Sequence, residues 1–147
     1  MPQPPPLSPP IISLERVSTG YAPGRPVLGR LTAWGGAARK PFEFTIAPAD
    51  AVKKLLAKVK LQTKDIDLWE INEAFAVVSI ANNRLLGLDG KLVNVRGGAV
   101  VLGHPIGASG ARILVTLLHA MKDLDRKRGL ATLFIGGGEA VAAIVER

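Results

Sequence analysis

From Val27 to Arg147, short apolar runs alternate with segments whose apolar residues recur at helical spacing, and this alternation leaves few folds open. Residues 27–34, 67–71, 92–95, 130–135 and 140–146 read as strands. Between the first two, Val52, Leu55, Leu56 and Val59 fall at i, i+3, i+4 and i+7 with lysines opposite, behind Pro48, a residue welcome in a first helical turn. A second helix runs to about Leu86, with Asn72 as the expected cap and Gly87 as the expected stop. A third runs from about Gly110 to Lys127, and its run of Ile113, Leu114, Val115, Leu117, Leu118 and Met121 predicts burial between layers. The order is β-α-β-α-β-α-β-β. It predicts an α/β fold with a five-stranded, mostly parallel sheet, helices on both faces and one antiparallel strand at the end.

Residues 1–26 do not share this pattern. They hold eight of the eleven prolines. Proline fixes φ and removes a backbone donor, so the segment is expected to be an extended or disordered arm. The remainder, 27–147, reads as one domain, long enough to bury a core.

Composition narrows the chemistry. Cysteine is absent from the sequence, which excludes disulfides, cysteine-ligated metal and a cysteine nucleophile within this chain. Two histidines, His104 and His119, are too few and too far apart for a histidine metal site, so no metal is expected. His119, within the third helix, reads as structural. The net charge of +7 raises the question of nucleic acid, but no aromatic residues interleave with the basic clusters to stack bases. No nucleic-acid partner is expected. No apolar run reaches the roughly 18 residues of a membrane span, and the N-terminus shows no signal-peptide pattern, so a cytoplasmic protein is expected.

Three segments fall at C-terminal ends of strands, where open α/β sheets place their ligands. They are Asn72-Glu73-Ala74-Phe75, Gly103-His104-Pro105 and Phe134-Ile135-Gly136-Gly137-Gly138. Singly, each has an ordinary reading as a cap, a turn or a tight link. Together they carry a resemblance. The run Trp69 to Ala76, the run Gly97 to Ile113 containing His104-Pro105-Ile106-Gly107, and the run from Gly129 through Gly138 are similar, in order, to three motifs of the thiolase family (acetyl-CoA acetyltransferases and acyltransferases). The likeness covers the C-terminal half of such an enzyme.

That resemblance implies roles for particular residues. His104 would stabilise charge on a thioester oxygen and assist a nucleophilic cysteine. Asn72 would hold a water in the same oxyanion site, and Gly136 would offer its backbone N–H to a second one. Phe75, with Ala74 beside it, would bind substrate along the pantetheine tunnel. No cofactor is implied, since the coenzyme A thioester is the substrate.

Departures matter as much. Where the family's last motif opens with a proton-transferring cysteine, this chain has Phe134, which titrates nothing. The acyl-accepting cysteine belongs to the family's N-terminal half and has no counterpart here. Arg96 stands where a small or neutral residue is commoner. The expectation is a thiolase C-terminal fragment, inactive alone. Its alternative is a non-catalytic acyl-CoA-binding or assembly module on the same scaffold. The apolar third helix predicts a covering partner, either a second copy in a homodimer or a chain carrying the N-terminal half.

Overall fold

The computed structural model describes residues 29–147. The expected arm at 1–26 lies outside them. The elements are β1 (Arg30–Ala38), α1 (Ala47–Val59), β2 (Leu68–Ile71), α2 (Ala76–Leu86), a single helical turn α3 (Ala99–Leu102), α4 (Ser109–Asp123), β3 (Arg128–Gly136) and β4 (Glu139–Glu146).

The sheet has four strands in the order β1-β4-β3-β2, and it is mixed. Only β2 and β3 pair in parallel, while β4 runs antiparallel to both β1 and β3. This corrects the expectation of five mostly parallel strands. The missing strand is residues 92–95, which make a single bridge, Val93 to Trp69. Asn94 is the physical reason. Its backbone turns to φ +50°, out of extended geometry, and its side-chain amide takes over the ladder. Asn94 Oδ1 accepts from the Ile71 N–H at 2.9 Å and Nδ2 donates to the Ile71 carbonyl at 2.9 Å, in place of a further peptide unit.

Helices do cover both faces. On one, Val52, Leu55 and Leu56 of α1 pack over Trp69, Ile71, Leu130, Ala142 and Ile144. On the other, Ile113, Leu117, Ala120 and Met121 of α4 meet Leu68, Ala131 and Val145. Strand alternation divides the sheet's side chains between the two clusters. Helix α4 departs from its expected burial between layers: one stripe is covered, while Val115 is 54% exposed. Close approach of α4 to β3 depends on Gly129, where a Cβ would lie 2.6 Å from Met121 Sδ and 2.9 Å from Leu117 Cδ1.

Gly87 ends α2 in the left-handed conformation, as read from the sequence. Asn72 does not cap that helix. The chain continues past it through Ala74, at φ +32°, and α2 begins at Ala76 with Phe75 in the cap position. Asn72 instead extends the β2–β3 ladder, its N–H donating to the Thr132 carbonyl at 3.0 Å, which frees its side chain for the site below.

Candidate active site

The C-terminal ends of β2 and β3 and the start of α4 converge on one cavity of about 440 Å³. Its walls include Ala74 and Phe75 after β2, His104 and Ile106 before α4, and Phe134 and Ile135 near the end of β3. The wall is largely apolar. Phe134 packs edge-on against Phe44 with ring centroids 4.9 Å apart, and Phe44 meets Phe75 at 6.2 Å.

His104 sits at the polar edge of this cavity, in the loop that leads into α4. Both contacts to its ring fall on Nδ1: Asn72 Nδ2 at 3.3 Å and Ser109 Oγ at 2.6 Å. Nε2 makes no hydrogen bond among the described residues, so it is the nitrogen available to a ligand. Ser109 and Asn72 are buried, with 2% and 1% exposure. Ser109 therefore orients the imidazole and is poorly placed as a nucleophile.

The turn α3, just ahead of the loop bearing His104, is pinned to the segment that follows β2. Glu73 accepts a hydrogen bond from the Val100 N–H at 2.7 Å, and Asn94 Nδ2 donates to its other oxygen at 3.4 Å. Gly98 makes this possible, because any Cβ there would overlap the Glu73 carboxylate. Behind Asn72 lies a charged pair, a buried Glu70 and a partly buried Arg112. Arg112, one turn into α4, donates from Nη2 to Asn72 Oδ1 at 3.3 Å and approaches Glu70 Oε2 with Nη1 at 3.7 Å. Glu70 is 1% exposed, in the middle of β2. Burial pushes its carboxyl up to about 7, with Arg112 opposing and Glu73 adding to the shift.

Residues 25–147 match the family described as the C-terminal domain of thiolase. The chain belongs to the thiolase family. It is 50% identical over 130 residues to an acetyl-CoA acetyltransferase of Escherichia coli, covering 88% of this chain and 33% of that protein. A cytosolic acetyl-CoA acetyltransferase of Mus musculus is 49% identical over 120 residues, which is 82% of this chain and 30% of its own. The fold matches an acetyl-CoA acetyltransferase of Bacillus anthracis with TM-score 0.80 at 45% identity, over 83% of this chain and 31% of that one. It also matches a thiolase of Ascaris suum, solved in complex with coenzyme A, with TM-score 0.79 at 49% identity, over 84% and 31%. The chain thus spans about a third of the length of these relatives.

Within this thiolase domain the structure brings His104, Ala74, Phe75 and Phe134 to one cavity, with Asn72 directly behind His104. Gly136 stands at the end of β3, at φ +149°, one residue beyond the lining Ile135 and outside the lining itself. Three contributors escaped the reading of the sequence. Phe44 lies in a 3₁₀ turn, Pro41–Ile46, outside the three motifs. Glu70 and Arg112 were visible only as members of motifs. A glutamate inside the apolar run Leu68-Trp69-Glu70-Ile71 was the available signal, since a strand buried along its whole length rarely carries an unpaired carboxylate. Arg96, the other departure, forms an exposed ion pair with Asp123 at 2.9 Å, away from the site.

Among the described residues no three or more His, Cys, Asp or Glu side chains group as a metal site, and no helix is long and apolar enough to cross a membrane.

Proposed function

We propose that this thiolase domain supplies the oxyanion-donating and acyl-binding side of a coenzyme A thioester site, and that the chain by itself does not transfer acyl groups. The observation that carries the reading is the placement of His104, braced on Nδ1 by Asn72 and Ser109, at the edge of an apolar cavity. A neutral imidazole held this way can donate from Nε2 to a thioester carbonyl oxygen as charge develops there, and an apolar surround strengthens the donation. Asn72 assists by fixing the ring. Ala74, Phe75, Ile106 and Ile135 offer apolar contact to an acyl or pantetheine chain, and Gly136 is the proposed backbone donor at the far end of β3.

Acyl transfer in this chemistry also requires a nucleophile to hold the acyl group and a base to move an α-proton. The sequence has no cysteine, and Phe134 fills the position expected of the base. The second reading, a non-catalytic acyl-CoA-binding module, shares the same cavity and is favoured by that ring within it. We assign as partner either a second copy or a chain bearing the N-terminal half, supported by the exposure of Val100, Val101, Ile106 and Val115. The cytosolic mouse relative supports a cytoplasmic location, and residues 27–147 form the proposed domain.

Calorimetric titration with acetyl-CoA tests the proposed site. Binding is expected, and His104→Ala should weaken it about tenfold, the loss of one hydrogen bond worth about 1.4 kcal/mol. Equal binding by the variant and the parent would overturn the assignment of His104.

A further inference from the structure

We infer that Arg112 is a positioning residue: it fixes the amide of Asn72 and, through it, places the ring proton of His104 on Nε2. The use of that proton on an acyl oxygen rests on the function proposed above; the tautomer itself does not.

The inference follows from donor and acceptor accounting. The Arg112 guanidinium can only donate. Its Nη2 faces Asn72 Oδ1 at 3.3 Å, so the amide must turn its oxygen towards Arg112 and its Nδ2 towards His104. Nδ2 likewise can only donate, and at 3.3 Å from His104 Nδ1 it requires a lone pair there. A neutral imidazole whose Nδ1 is an acceptor carries its hydrogen on Nε2.

Ser109 alone would allow the opposite outcome. Its hydroxyl lies 2.6 Å from His104 Nδ1 and 3.2 Å from the Pro105 carbonyl. It could accept from an Nδ1–H while donating to Pro105. With the Asn72 amide fixed, that arrangement would set two N–H groups against each other, so the hydroxyl donates to Nδ1 and the choice between tautomers falls to Arg112.

Arg112 is held in turn by Glu70. Nη1 lies 3.7 Å from Glu70 Oε2, and neither Arg112 Nε, Arg112 Nη1 nor either Glu70 oxygen makes a hydrogen bond among the described residues. The one directed bond of the guanidinium is therefore the one to Asn72. A partly buried arginine kept for packing or for charge balance alone would have no need to direct its one hydrogen bond at that oxygen.

Long-range proton–nitrogen NMR of the uniformly ¹⁵N-labelled chain reads which ring nitrogen of His104 is protonated. The exposed His119, on α4, serves as internal reference. In alkaline buffer, where imidazole is neutral, His104 of the parent should show Nε2 protonated and Nδ1 bare. Asn72→Asp, nearly the same shape, presents acceptors to both neighbours and should move the proton to Nδ1. Arg112→Met should leave a mixture of the two tautomers. If that variant unfolds because Glu70 is stranded, the pair Arg112→Met with Glu70→Gln removes the buried charge and should show the same mixture. Arg112→Lys keeps a donor and a positive charge beside Glu70, and should move the populations back towards Nε2. A parent protonated on Nδ1 would overturn the inference. So would a folded Arg112→Met variant, single or paired, with an unchanged Nε2–H tautomer. Failure of acetyl-CoA to bind would sink the proposed function and leave these spectra as they are.

Discussion

Gly138→Ala is expected to destabilise the domain by about 4 kcal/mol, through backbone strain of about 1–3 kcal/mol and a steric clash of similar size. Gly138 sits at φ +91° in the turn between β3 and β4. A Cβ there would overlap the Arg39 carbonyl oxygen and lie 2.9 Å from the Lys40 carbonyl oxygen, both of them backbone. Neither can withdraw easily. The Arg39 N–H donates to the Gly138 carbonyl at 3.0 Å, and the Arg39 guanidinium is fixed to Asp50 at 2.6 Å. That pairing holds the Asp50 carboxyl below the usual carboxylate range. The same turn fixes the end of β3, where Phe134 and Ile135 enter the cavity wall, so loss of its geometry should loosen the site as well as the fold. Urea denaturation measures the effect. Gly90→Ala is the control, since nothing lies within 4 Å of a Cβ there, and it should change stability by no more than about 0.5 kcal/mol. Equal midpoints for the two variants would show that the turn has room to adapt.

Glu70→Gln should stabilise the protein at neutral and alkaline pH and do little in acid. A glutamine resembles the protonated carboxyl in shape and charge. Burial lifts the Glu70 carboxyl from its ordinary value of 4.5 to about 7, desolvation being the chief cause. Because the folded value is raised, the contribution of Glu70 is fully present below about 4.5 and is lost as pH climbs to about 7. Parent and variant should therefore have similar stability below that window. They should diverge within it, until the variant leads by about 3 kcal/mol above it. Other titrating groups are common to both proteins and cancel in the difference. A difference that stays constant with pH, or a variant less stable at pH 8, would mean that attraction to Arg112 outweighs the burial of Glu70.

Much of the fold could be read from residue patterns, and the failures are local and physical. Helix α1 follows its apolar spacing, and Gly87 closes α2 because a left-handed residue is needed there. The two closing strands and their glycine link also form as expected. Residues 92–95 look like a strand by composition, but the Asn94 side chain satisfies Ile71 in place of a backbone ladder, a substitution no periodicity reveals. With that strand gone, and β4 antiparallel on both sides, parallel pairing shrinks to β2 with β3. Asn72 shows the same ambiguity from the other side. A cap and a site residue look identical in sequence, and the contact with His104, thirty-two positions away, decides between them. The motifs did mark which strand ends meet. They could not show that Glu70 and Arg112 pair behind the site, because that pairing exists only once α4 lies across β2.

The proposed function gives this thiolase domain the oxyanion side of an acyl-CoA site and no means of acyl transfer. Acetoacetyl-CoA cleavage by the purified chain, with coenzyme A added, tests it most directly. No turnover above background is predicted, and Phe134→Cys should not create any, since an acyl-accepting nucleophile would still be missing. Turnover by the parent chain that disappears in His104→Ala would show that the domain transfers acyl groups unaided.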